Sequence, residues 1–139
     1  MAERMVFIGG FGRIDQRGHR GPVQHGARRV GQSLGDGKFK PLATTFEGKK
    51  FNSPNDLAIA ADGSVYFTDP PYGLPKGQKA EQDFHGVYKL AADGKVTLVS
   101  KAVKWPNGIA LSRDQKQVYL AVSDSANTRV TVCDLDGGN

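Results

Sequence analysis

The feature that most constrains this chain is a motif that occurs twice. The stretch NSPNDLAIAADGSVYFTDPPYGL begins at Asn52, and a second copy, WPNGIALSRDQKQVYLAVSD, begins at Trp105. In each copy a Pro-Asn pair precedes an alternating apolar run, an aspartate-containing turn and a second alternating run. Asn55 and Asn107 occupy the same position in the two copies, 52 residues apart. An internal repeat near this period, with about four strands per unit, is typical of β-propeller blades.

The remaining sequence supports the same architecture. Residues 46–51 are predicted to be a polar connection, and the glycines and prolines of residues 72–85 predict a long loop. The sequence predicts an all-β fold, an incomplete arc of about two to two and a half propeller blades, in parts 25–51, 52–104 and 105–139. Nine strands are predicted, at residues 28–34, 39–44, 57–60, 65–68, 86–90, 95–99, 109–111, 118–122 and 129–134.

The size of this arc raises the question of completeness. Propellers close with roughly four to eight blades, so a shorter arc leaves blade faces unburied and strand edges unpaired. We therefore expect the sequence to be a piece of a longer protein. Residues 1–24 have a candidate strand at residues 5–8, followed by glycine- and arginine-rich sequence without periodicity. Two explanations stay open for them, a flexible leader or sequence that is not native coding sequence.

Composition argues against several functional classes. The net charge of +5 originates in residues 1–50, because residues 51–139 hold nine basic and ten acidic side chains. The basic residues lack the interleaved aromatics of a nucleic-acid-binding face, so no nucleic-acid partner is predicted. No apolar run reaches the ~20 residues of a membrane helix, and no signal peptide is recognisable, so a cytoplasmic location without a membrane partner is predicted. Cys133 is predicted to be a packed or edge thiol.

Propeller geometry suggests a chemical role for the repeated asparagines. The first strand of each blade lines the central channel, so Asn55 and Asn107 should direct their amide oxygens at one axial point. Neutral oxygens suit Ca²⁺, although two of them are only part of its usual six to eight ligands. The alternative is that each is a turn residue bonded to nearby backbone, and both interpretations stay open. Asp56 is replaced by Gly108 in the second copy and is interpreted as a local hydrogen-bonding group.

The same residues carry a family resemblance. The two motifs quoted above, with QHGARRV at residues 24–30, closely resemble the regucalcin–gluconolactonase (SMP-30/gluconolactonase/LRE-like) family over residues 24–139. The resemblance implies a six-bladed β-propeller with one Ca²⁺ in its central channel. It also implies hydrolysis of lactones, and of phosphotriesters in some members, so the expected partner is a small-molecule lactone. The sequence does not predict an oligomeric state.

The resemblance further implies residue roles. Asn107 matches a direct calcium ligand, and Asn55 matches an asparagine that binds metal or substrate. Asp69 and Tyr72 would lie at the channel rim and contact substrate, with a structural Asp-Pro turn as the alternative for Asp69. His25, His85, Ser123 and Asp124 are predicted to have surface, packing or turn roles.

Part of the family's chemistry has no counterpart in this sequence. The resemblance implies that the glutamate ligand of the first blade lies upstream of residue 24, where the match ends. It implies that the aspartate that binds metal and acts as general base lies beyond Asn139, so no catalytic residue is assigned. The resemblance implies that the chain is a fragment of a Ca²⁺-dependent lactonase, a hydrolase that cleaves a sugar lactone or related ester with metal-activated water. The fragment alone is expected to be inactive. The alternatives are a non-catalytic interaction module and an inactive truncated reading frame.

Overall fold

A computed structural model of the protein describes the backbone of residues 6–8 and residues 27–135 in full. The regular secondary structure in these ranges consists of β-strands alone, which agrees with the all-β prediction. The strands are β1 (Val6–Ile8), β2 (Val30–Gly35), β3 (Lys38–Ala43), β4 (Thr45–Phe46), β5 (Lys49–Lys50), β6 (Leu57–Ile59), β7 (Val65–Asp69), β8 (Gly86–Leu90), β9 (Val96–Ser100), β10 (Pro106–Leu111), β11 (Gln117–Val122) and β12 (Arg129–Asp134). The described part of the chain contains no helix with the length and apolar character needed to cross a membrane.

Three of the four sheets that the described residues form follow one another along the chain as propeller blades do. Their strand orders are β1-β2-β3, β6-β7-β8-β9 and β10-β11-β12, and every pairing is antiparallel. Each strand therefore pairs with its neighbour in sequence, which is the meander of a propeller blade. We call these sheets the first, second and third blades. The fold is an incomplete propeller arc in which one four-stranded blade lies between two partial blades.

Two regions differ from the nine-strand prediction. Residues 45–50, most of which were predicted to be a polar connection, form a two-stranded ribbon in which β4 pairs with β5. Glu47 and Gly48 adopt φ values of 50° and 76°, as a two-residue hairpin turn of this kind requires. Both residues of β5 are exposed lysines, so the sequence there has no alternation of apolar and polar residues that would have predicted a strand. The second difference is β1, which pairs with β2 and lies in the candidate strand at residues 5–8 that the count of nine left out. The rest of the predicted leader lies outside the described residues.

The apolar core consists of two clusters, one on each face of the second blade. β7 contributes to both clusters, because all five of its residues are buried and its side chains alternate between the faces. Phe67 packs in the first cluster against Phe51 and Tyr88, with ring centroids 5.2 and 5.4 Å away. Tyr66 packs in the second cluster, which joins the second blade to the third. Burying each such large side chain stabilises the fold by about 1.5–3 kcal/mol. Because the second blade contributes side chains to both clusters, it holds the arc together.

Candidate functional site

The side chains of the two repeated asparagines meet where the second and third blades adjoin. Nδ2 of Asn55 donates a hydrogen bond to Oδ1 of Asn107 over 2.6 Å. Both side chains are partly buried. They line an open cleft of about 520 Å³ together with Asp56, Tyr72 and Ser123. The structure thus brings together the residues that the repeat predicts to converge, while their role as metal ligands stays a prediction.

The local backbone explains how the asparagines come to face each other. Asn55 precedes β6, and its N–H donates to the carbonyl of Thr68 in β7 over 2.9 Å. Asn107 lies within β10, at a β-bulge between Pro106 and Ile109. A bulge bends its strand and re-aims side chains, and here the re-aimed side chain is that of Asn107. The side-chain bonds of the asparagines join them to each other and to Ser123 rather than to nearby backbone, which favours the convergent interpretation over the turn interpretation.

Asp56 lies beside the asparagine pair and connects the two blades. Its Oδ2 accepts the N–H of Ile109 over 3.0 Å, across 53 residues of sequence. Partial burial raises the pKa of Asp56, although the N–H groups of Ile109 and Leu57 favour its ionised form. Asp56 is a hydrogen-bonding group, as predicted, but its bond to Ile109 is not local, because it joins the second blade to the third.

Ser123 is a cleft residue that the sequence assigned only to a turn. Its Oγ accepts a hydrogen bond from Nδ2 of Asn107 over 3.0 Å, which orients that amide. Asp124 does have the predicted turn role, since its Oδ1 accepts the N–H of Ala126 over 3.0 Å. No local pattern distinguishes the two residues, because the bond to Ser123 comes from Asn107, 16 residues away.

Asp69, predicted to contact substrate, has a fully buried side chain. Its two carboxylate oxygens accept the backbone N–H groups of Asn52 and Ser53, each over 2.8 Å. Burial raises the pKa of Asp69 to about 7. The two N–H bonds and the charge of Arg28 favour the ionised form, but their effect on the pKa is smaller than that of burial. This geometry gives no support to a substrate contact and favours the structural turn, in which Asp69 fixes the segment leading to Asn55.

Arg28 supports the same segment from the other side. Its side chain is buried, and its Nε donates to the carbonyl oxygens of Phe51 and Asn52 over 2.7 and 3.1 Å. Its Nη1 donates to Oε1 of Gln78 over 3.2 Å. The chain leading to the first asparagine is therefore held by a buried cation and a buried carboxyl group.

Tyr72 lines the cleft and packs against other aromatic rings. Tyr72 is 38% exposed and stacks on Trp105, with centroids 5.7 Å apart and planes 19° apart. The Tyr72 hydroxyl donates to the carbonyl of Trp105 over 3.2 Å. His85 packs edge-on against the Trp105 ring, and its Nδ1 accepts the backbone N–H of Trp105 over 3.0 Å, as expected for a packing histidine. His25 lies outside the described residues. Tyr72 therefore lies where the sequence placed it, at the rim, and its contact with substrate stays a prediction.

The chemistry of the cleft fits a hard cation in part. Among residues 27–135, no group of three or more His, Cys, Asp or Glu side chains is placed to hold a metal. The donors that do converge are the amides of Asn55 and Asn107, in a cleft that Asp56 and Ser123 also line. Rotation of the Asn55 amide exchanges its N–H₂ and oxygen, which turns a second oxygen towards the shared point. Oxygen donors of this kind suit Ca²⁺, and they amount to a fraction of the six to eight that it takes.

Comparison with known proteins identifies the family. The profile of the SMP-30/Gluconolactonase/LRE-like region matches residues 7–139, which extends the resemblance towards the N terminus. The chain is 44% identical over 98 residues to a gluconolactonase of Zymomonas mobilis, a match that covers 68% of this chain and 28% of that protein. It is 26% identical over 108 residues to a diisopropyl-fluorophosphatase of Loligo vulgaris, covering 73% of this chain and 34% of that protein.

Solved structures agree with this result. The chain superposes on a gluconolactonase of Xanthomonas campestris with a TM-score of 0.75 and 35% identity, over 83% of this chain and 40% of that chain. A second structure, 24% identical, superposes with a TM-score of 0.68 and supports the fold alone. The chain thus spans 28% and 40% of the lengths of the two gluconolactonases it matches. Because the profile covers almost the whole sequence, the chain belongs to the SMP-30/gluconolactonase/LRE-like family.

Proposed function

We propose that this chain forms part of a Ca²⁺-dependent lactonase that hydrolyses a sugar lactone or a related ester with water. One observation carries the proposal: the amides of Asn55 and Asn107 meet over 2.6 Å in an open cleft. Similarity to proteins named gluconolactonase supports the reaction class. The relatives are longer than this chain, so we also propose that it is a fragment of the active protein.

The cleft residues have distinct roles in this proposal. Asn55 and Asn107 would hold Ca²⁺ through neutral amide oxygens, which leave its positive charge uncompensated. The ion, when bound, supplies Lewis-acid polarisation of the lactone carbonyl and stabilises the negative charge that develops there. Ser123 accepts the N–H₂ of Asn107 and so keeps the oxygen of that amide directed at Asn55. Tyr72, exposed and lining the cleft, would offer its aromatic face to the substrate.

Activation of water needs a carboxylate that is free to accept a proton. Asp56 lines the cleft, but its Oδ2 already accepts the N–H of Ile109. Asp69 is buried with both oxygens bonded to backbone N–H groups. We therefore assign the general base to a part of the protein outside residues 27–135, and expect this chain to show no Ca²⁺-dependent lactone hydrolysis in a pH-stat assay.

Terbium luminescence tests the metal site directly. Tb³⁺ replaces Ca²⁺ at oxygen sites and emits when a nearby indole is excited, and Trp105, the single tryptophan, lies two residues from Asn107. We expect Trp-sensitised emission that Ca²⁺ displaces at about 10⁻³ M or above, the range of weak calcium sites. The Asn107→Ala variant should weaken Tb³⁺ binding at least about tenfold, the smallest cost of removing even an outer partner of a ligand.

A matched control separates the site from general surface charge. Asn127 lies in an exposed turn of the third blade, away from the cleft-lining residues. The Asn127→Ala variant should bind Tb³⁺ as the unsubstituted chain does. Emission that is absent, or that Asn55→Ala and Asn107→Ala leave unchanged, would refute the calcium site. It would favour a non-catalytic propeller piece instead.

A further inference from the structure

One buried hydroxyl connects the backbones of the two asparagines. Thr68, in β7, has no solvent exposure. Its Oγ1 donates to the carbonyl oxygen of Asn107 over 2.7 Å and accepts the N–H of Asp56 over 3.2 Å. Its own carbonyl accepts the N–H of Asn55 over 2.9 Å. A single residue of the second blade therefore contacts the backbone at both copies of the Pro-Asn motif.

We propose that Thr68 is a positioning residue that sets the separation of the two amides and thereby the cation affinity of the cleft. A hydroxyl can donate one hydrogen bond and accept another at the same atom, and Thr68 donates across the blade boundary to Asn107 while it accepts from Asp56 of its own blade. As regards the cation, the inference rests on the proposed function. As regards the geometry of the asparagine pair, it stands on the hydrogen bonds of Thr68 alone.

The third blade provides an internal comparison. Ala121 holds the position in the second motif copy that Thr68 holds in the first. Ala121 still pairs with Val130, just as Thr68 pairs with Val87, so a blade does not need a hydroxyl here to form its strands. The hydroxyl is present in the blade whose neighbour presents Asn107. Its distinctive bond is therefore the one across the contact between the blades, to the carbonyl oxygen of Asn107.

The test compares three substitutions at this position. Thr68→Val keeps the shape of the side chain and removes the hydroxyl, whereas Thr68→Ser keeps the hydroxyl and removes a methyl group. We expect Thr68→Val to weaken Tb³⁺ binding about 10–100-fold, the usual cost of losing an outer-shell partner, and Thr68→Ser to restore it to within about threefold. Thr68→Ala, which reproduces the residue at position 121, is measured in place of Thr68→Val if the valine variant does not fold.

A second readout needs no metal. In the unsubstituted chain, the side-chain amide protons of Asn55 should show a nuclear Overhauser effect to the side chain of Asn107, because the two groups are in contact. We expect Thr68→Val to abolish this cross-peak and Thr68→Ser to retain it. The control is Ser64→Ala, since Ser64 is another buried hydroxyl residue, directly before the opposite end of β7. It should retain both the cross-peak and the Tb³⁺ affinity.

The outcomes separate this inference from the proposed function. Wild-type affinity and an intact cross-peak in Thr68→Val would overturn the positioning role. Equal losses in Thr68→Val and Ser64→Ala would also overturn it, because they would indicate general loosening of the blade. An unsubstituted chain that binds no Tb³⁺ would refute the proposed function, and the cross-peaks of the variants would still decide whether Thr68 positions the asparagines.

Discussion

The buried carboxyl group of Asp69 should make the stability of the fold fall as pH rises. Its side chain has no solvent exposure, and burial raises its pKa from the ordinary value of 3.8 to about 7. Between these two values the folded chain keeps a proton on Asp69 that the unfolded chain has lost. The free energy of unfolding therefore decreases with increasing pH in this window, because the folded state binds more protons.

The size of the effect follows from the shift. One pKa unit corresponds to about 1.4 kcal/mol, so a shift of roughly three units corresponds to about 4 kcal/mol in total. The stabilisation should be fully present below pH 3.8 and lost as pH approaches 7, with no further change from this group above that value. Asp56 adds a contribution of the same sign, because burial raises its pKa as well.

Urea unfolding from pH 4 to pH 8, followed by the fluorescence of Trp105, measures this dependence. The Asp69→Asn variant keeps the shape of the side chain but places an N–H₂ group against the backbone N–H of Asn52 or Ser53, so that one of these donors loses its acceptor. We expect it to be about 1–3 kcal/mol less stable where the carboxyl group is protonated, and to show a smaller pH dependence. The chemical shift of the Asp69 carboxyl carbon should titrate with a midpoint near 7. A midpoint below 4, with the same pH dependence in the variant, would refute this reasoning.

Four further substitutions probe the packing and the cleft. Gly86→Ala would place a methyl group against the buried ring of Tyr88, 2.7 Å from its hydroxyl oxygen, and should cost about 1–3 kcal/mol in urea unfolding. Gly108→Ala, whose added carbon meets Ala121 at an ordinary 3.4 Å, should cost far less; equal costs would contradict the packing argument. Phe67→Ala should cost about 3–5 kcal/mol by the same measurement, because it removes contacts to two buried rings, and a loss below 1 kcal/mol would contradict its place in the core. Ser123→Ala should weaken Tb³⁺ binding about tenfold with little change in the urea midpoint, since Ser123 is exposed and orients Asn107; an unchanged affinity would refute that orienting role.

Much of the fold was predictable because strand alternation and the internal repeat are local properties of the sequence. The second blade, from Leu57 to Ser100, follows the predicted pattern closely. The β4–β5 ribbon was not predictable in this way, because Lys49 and Lys50 are exposed on both faces of a strand that buries nothing. A turn signal at Glu47 and Gly48 could have revealed it, since both residues adopt positive φ.

The candidate site was predictable only where the repeat exposed it. Equivalence of Asn55 and Asn107 predicts that they face one point, and the structure brings their side chains into contact. Thr68 gave no such signal, because threonine in a strand is an ordinary β-forming residue and its partner is 39 residues away. The burial of Asp69 was equally hidden, since an Asp-Pro pair also occurs in exposed turns. Contacts between blades decide these roles, and local patterns do not report them.

The central claim is that the amides of Asn55 and Asn107, brought from two consecutive blades, share one cation. Its most direct test is an anomalous scattering map from crystals of this chain soaked in Tb³⁺. We predict a single strong peak between the two side chains, at about 2.3–2.6 Å from an oxygen of each amide, the range of calcium–oxygen distances. A map in which Tb³⁺ lies only at surface carboxylates, with no peak within reach of either amide, would contradict the claim.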